Sequence, residues 1–209
     1  MDSFRAFRID EQDGNIVAGF QELTLDDLTT GNVVVRVTHS TINFKDALAA
    51  TGKGRILRQY PLNGGIDFAG VVVSSEDTDF QPGTEVLMNG CGLSETVDGG
   101  YAEYARVASE GLVAVPEGIS CADAMRIGTA GYTAGLAVHR MEQNGQTPDL
   151  GPIVVTGATG GVGSIAIDML AGRGYEVVAV TGKASEEDYL HAIGASRILL
   201  RDDIDFGKR

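Results

Sequence analysis

The chain has 209 residues, 29 acidic against 16 basic, and a formal net charge of -13 at pH 7. That length can bury a real core and leaves room for one large or two small domains. So acidic a surface argues against unaided binding of nucleic acid or of an anionic membrane, and no apolar run approaches the length of a membrane span. The two cysteines, Cys91 and Cys121, are far apart with no framework around them. Free thiols in a reducing compartment fit that spacing, and the charged start makes the cytoplasm the expected location.

From residue 1 to about 120 the apolar runs are short and punctuated by glycine and acids: "NVVVRVTHS", "FAGVVVSS", "TEVLM" and "YAEYARVASEGLVAVPEG". They read as strands of a compact β domain, with Pro82–Gly83 as a turn between two of them. Asn43 and Asp46 stand where a helix begins, as caps or as polar groups of a site. Near residue 120 the texture changes. Ser120 is an N-cap candidate for helical sequence broken by glycines, and "GQTPDLGP" reads as a surface loop. Strand and helix then alternate: strand 153–156, helix 162–173, strand 176–180, helix 185–193 and strand 197–200. Alternation with short connections implies a parallel sheet.

Gly157, Gly160 and Gly163 lie between the first of these strands and its helix. Without side chains the backbone there can turn tightly and approach a diphosphate at the helix N-terminus; a tight turn with no ligand is the plainer alternative. The second strand ends in Thr181, Gly182 and Lys183, with no acid until Glu186. An acid would accept from the ribose 2′-hydroxyl of NAD, whereas a cation suits the 2′-phosphate of NADPH. NADPH is therefore the expected cofactor, with a solvated lysine as the competing reading. "TGATGGVG" also fits the short-chain dehydrogenase pattern, but about 150 residues precede it, and neither Tyr175 nor Tyr189 has a lysine four positions on.

A β domain followed by this turn resembles the medium-chain dehydrogenase/reductase superfamily. In its zinc enzymes a cysteine and a histidine bind catalytic metal; Asn43 and Ile66 fall at those places, and His39, His139 and His191 are isolated, so a zinc-independent reductase with no metal site is expected. "NFKDALAATGKGRI", "GIDFAGVVVSSEDTDFQPGTEVL", "GGYAEYARV", "VVTGATGGVGS" and "YLHAIGASRIL" are similar to the acrylyl-CoA reductase group, whose members are also called quinone oxidoreductases. The resemblance implies an α/β fold: a GroES-like β-barrel domain for substrate over residues 1–125, then over 126–209 the first half of a Rossmann doubly wound parallel sheet that binds NADPH.

It further implies hydride reduction of acrylyl-CoA to propanoyl-CoA, with a quinone or enone as alternative substrate and a catalytically silent nucleotide-binding chain as a third reading. Dinucleotide phosphates are expected on Thr159, Gly160, Gly161 and Val162, and the 2′-phosphate on Thr181, Gly182 and Lys183. Phe44 replaces a family tyrosine near the cofactor. Asn43 and Asp46 are the candidates for polar groups near the nicotinamide. Lys45, Lys53 and Arg55 are either coenzyme A phosphate contacts or solvated surface, and Cys91 is expected as a small buried thiol. Family members are longer, so the chain is expected to be a C-terminally shortened copy; a homodimer is a further expectation.

Overall fold

The computed structural model describes residues 3–204. The chain divides into two compact units, Met1–Thr129 and Ala130–Arg209.

The first unit opens on a hairpin of β1 (Phe4–Gln12) and β2 (Asn15–Leu23), joined at Asp13–Gly14, both with positive φ. Asp-Gly is a favoured pair for a two-residue turn that matches strand twist. Alternation within the charged opening segment buries Phe4 and Ala6 and sends Arg5 outward. There follow β3 (Val33–Ser40), α1 (Phe44–Thr51), β4 (Leu62–Asn63), β5 (Asp67–Ser75), β6 (Glu85–Asn89), β7 (Tyr104–Val107) and β8 (Val113–Ala114). One sheet has the order β2-β1-β4, the other β7-β3-β5-β6-β8, and every pairing in them is antiparallel. Residues 101–103 lace the two together: the Phe7 N–H donates to Tyr101 O at 2.7 Å and the Val37 N–H to Glu103 O at 2.9 Å. Val33, Val35, Phe68, Val86 and Val107 are fully or almost fully buried and form the larger core of the unit.

One expectation fails here. Cys91 is exposed, and the buried thiol is Cys121. Cys91 sits between two glycines with φ 49°, and the surface turn that demands this left-handed backbone keeps its side chain out of the core. Lys45, which the sequence offered as a phosphate contact, is in an ion pair with Glu95.

Helix α2 (Cys121–Gln143) spans the division between the units. Ser120 caps it, its Oγ accepting from the Asp123 N–H at 3.1 Å. At Gly128, φ 52° and ψ -166° break the helix. A Cβ there would lie 2.9 Å from Thr41 Cγ2 on a backbone L-residues rarely adopt, so glycine makes the kink.

The second unit alternates β9 (Ile153–Thr156), α3 (Gly161–Gly172), β10 (Val177–Thr181), α4 (Glu187–Ala192) and β11 (Arg197–Leu200). The sheet is parallel in the order β11-β10-β9. Strands β9 and β11 fall on the residues that the apolar runs predict; α4 starts later than expected because Ala184–Glu186 forms a 3-10 turn first. All five residues of β10 are buried, as suits a central parallel strand covered on both faces. Strand β9 is an edge among the described residues, and Val154 on it is 59% exposed.

The first unit also buries an ion pair, Arg8 to Asp98 at 2.6 Å. Asp98 accepts as well from the N–H groups of Asn63 and Thr29, both at 2.7 Å. Asp98→Ala leaves a buried guanidinium uncompensated, and urea unfolding is expected to show a loss of about 3–5 kcal/mol.

Candidate functional site

In the second unit a cavity of about 530 Å³ opens where β9 and β10 end. Gly157 and Thr159 line one side and Thr181, Gly182 and Lys183 another. Gly160 is the N-cap of α3, and Gly161 and Val162 begin its first turn, where helix N–H groups have no partner within the helix. The turn is built by close approach: a Cβ on Gly163 would lie 2.4 Å from Gly157 O. The Lys183 N–H donates to Thr181 Oγ1 at 3.0 Å, fixing the turn after β10.

Sequence reading missed one member of this cavity, Arg201. In the sheet register Thr181 stands beside Leu200, so the residue after β11 falls next to Gly182. A Cβ on Gly182 would lie 3.3 Å from the Arg201 guanidinium carbon. The signal was available: in a parallel sheet, cations after two neighbouring strands meet at one edge. A glycine turn, a helix N-terminus and two cations form a donor set that fits a diphosphate and a further phosphate.

A separate constellation lies in the first unit, around the start of α1. Asn43 and Asp46 close a capping box, the Asn43 N–H donating to Asp46 Oδ2 at 2.7 Å. Asp46 is 4% exposed, and its Oδ1 accepts from the Ile66 N–H at 3.0 Å. Its carboxylate therefore serves backbone donors. Phe44, the first residue of the helix, is 79% exposed.

Asp67, which the sequence did not single out, organises this face. It has no exposed surface. Its Oδ2 accepts from Thr41 Oγ1 at 2.5 Å, Asn43 Nδ2 at 2.9 Å and the Thr129 N–H at 3.0 Å. Its Oδ1 accepts from Asn89 Nδ2 at 2.9 Å and from the Thr129 hydroxyl. Burial pushes its carboxyl pKa up, but the hydrogen bonds from Thr129, Thr41 and Asn89 outweigh that and hold it below the ordinary value. Because a carboxylate only accepts, Asn43 must present its amide nitrogen to it. Tyr101 donates to Thr41 O at 2.7 Å. Burial, followed by the charges of Asp46 and Asp67, raises its pKa, so the phenol stays neutral. No group of three His, Cys, Asp or Glu side chains is placed to hold a metal ion among the described residues.

Residues 29–117 match the model of the alcohol dehydrogenase GroES-like domain. The chain is 47% identical to the acrylyl-CoA reductase AcuI of Ruegeria pomeroyi over 94% of its own length and 59% of that protein. These matches agree with the resemblance of the chain to the medium-chain dehydrogenase/reductase superfamily. The yhdH oxidoreductase of Salmonella enterica, solved in complex with NADP, matches with a TM-score of 0.94 at 49% identity, over 98% of this chain and 63% of that one. Bacillus subtilis yhfP, solved with NAD bound, gives 0.93 at 45% identity, over 98% and 62%. The chain spans about three fifths of the length of the curated relatives it matches.

The Asp67 carboxylate sets a pH dependence. Its folded pKa is depressed, so its stabilisation is fully present above the ordinary carboxylate value of about 4 and is lost as pH falls through the lower folded value. Asp67→Asn is expected to lower stability near pH 7 by about 1.5–3 kcal/mol. In denaturant titrations from pH 7 to pH 2, the difference between the native chain and this variant shrinks only at the acid end.

Proposed function

We propose that this protein is an NADPH-dependent reductase of an activated carbon-carbon double bond, with acrylyl-CoA as substrate and propanoyl-CoA as product. The observation that carries the cofactor is the pair of cations, Lys183 and Arg201, lining one cavity at the glycine turn. We assign the cofactor to the second unit and the acyl substrate to the first. When bound, NADPH supplies the hydride for such a reduction. The protein's own groups bind and orient. The Thr159 hydroxyl and the first-turn N–H groups of Gly161 and Val162 receive the diphosphate, and Lys183 and Arg201 neutralise the 2′-phosphate, with Thr181 and Gly182 shaping that turn. Asn43 and Asp46 act through the cap, holding the α1 start that presents Phe44. Phe44 offers a ring face and no hydroxyl.

A quinone or enone is the second reading. It is favoured by the exposure of two apolar side chains, Ile42 and Phe44, at that helix start. Turnover with NADPH of acrylyl-CoA against a simple quinone separates the two; higher kcat/KM with the quinone overturns the thioester reading.

Cofactor choice is tested by fluorescence titration. A charge-assisted hydrogen bond of about 1.5–3 kcal/mol favours NADPH over NADH roughly 10- to 100-fold. Lys183→Glu is expected to abolish that preference and Arg201→Gln to reduce it, both leaving NADH binding nearly unchanged. Equal affinity of the unaltered chain for the two nucleotides sinks the assignment.

A further inference from the structure

Helix α1 joins two chemically different places. Its first turn carries Asn43 and Phe44; beyond its last residue, Gly52 and Gly54 border a second cavity, of about 300 Å³. Arg55, Arg58 and Tyr60 line this cavity over the buried side chain of Leu57. Glu11 also lines it. The described ion pairs of the chain engage Arg8, Lys45, Arg126, Arg173 and Arg201, and neither Arg55 nor Arg58. In a chain with 29 acids, carboxylates to neutralise these two guanidiniums are abundant, yet both face one concavity with a single acid on its wall. Guanidinium is the planar, multiply donating group that recognises phosphate through paired hydrogen bonds.

The separation adds a constraint on the ligand. Eight helical residues rise about 12 Å, so the arginine cavity lies roughly that far from Phe44. A ligand engaging both ends must carry a reacting group and phosphates held well apart by a slender arm. A coenzyme A thioester has that form, with pantetheine between the thioester and the 3′-phospho-ADP end.

We propose that Arg55 and Arg58 form the site for the phosphates of the 3′-phospho-ADP end of an acyl-CoA substrate. The assignment rests on the thioester reading given above and deepens it, because it places the substrate's charged handle at the C-terminal end of α1. Lys45, held by Glu95, is left out of that site. Phosphate recognition here is distinct in place and partners from the Lys183–Arg201 cavity.

The test is calorimetric titration of the 209-residue chain with coenzyme A, 3′-dephospho-coenzyme A and pantetheine, all under saturating NADPH so that the second unit's cavity is filled. Coenzyme A is expected to bind more tightly than its 3′-dephospho form, and pantetheine weakest. Arg55→Gln with Arg58→Gln is expected to weaken coenzyme A binding about 100-fold, tenfold for each guanidinium, and to leave NADPH and pantetheine binding unchanged. Glu11→Gln, which removes the acid from the wall, tightens coenzyme A binding several-fold. That second variant decides the matter if the double variant fails to fold: no tightening overturns the proposal. Undiminished coenzyme A binding by a folded double variant overturns it too. NADPH binding without coenzyme A binding overturns this site alone and leaves the nucleotide reading standing, whereas binding of neither ligand removes both.

Discussion

A single buried carboxylate sets the geometry of the first unit's polar face. Asp67 begins β5, a strand with partners on both sides in the five-stranded sheet. Its side chain gathers donors from the end of β3, the start of α1, the end of β6 and the kink of α2. A charge taken out of water without a cation beside it is costly unless its lone pairs are filled. Here neutral hydroxyl, amide and backbone donors fill them, so each of the four segments is held at the one position from which its donor reaches Asp67. The exposed Phe44 ring, the Asn43 amide and the Asp46 cap inherit their placement from that demand.

This explains what could be read in the sequence and what could not. The alternation after residue 150 placed β9 and β11, and Ser120 announced α2, because those features follow from neighbours in the chain. The β1–β2 hairpin was harder: its apolar positions are interleaved with charges, and only Asp13–Gly14 marks the turn. Asp67 was illegible for a different reason. Its partners lie between 22 and 62 residues away, and nothing in "GGIDFAG" distinguishes an acid with five donors from a solvated one. Arg201 directly follows the predicted strand 197–200, but its place beside Gly182 depends on the β10–β11 register. For Cys91, residue type suggested burial while the left-handed backbone between two glycines dictated the surface.

The two candidate sites are built by contrasting means. The cavity at β9 and β10 is formed by backbone approach, with glycine where side chains would collide, and its charge comes from two long cationic side chains at its rim. The α1 face is organised by side chains, a capping box, a neutral phenol and a shared carboxylate, each satisfied by neighbouring side chains and backbone groups. At Asn43 an amide nitrogen faces Asp67. A fixed network of this kind offers shape and polarity.

Among the described residues strand β9 has a paired neighbour on one side only, with the exposed Val154 on it, and such an edge is one along which chains can stack into larger assemblies. The net charge of -13 opposes such stacking, since copies of one acidic chain repel over about 8 Å at physiological ionic strength. The acid excess thus acts as a colloidal safeguard. Added salt shortens its reach, so the same molecule is expected to stay dispersed in dilute buffer and to self-associate in concentrated brine.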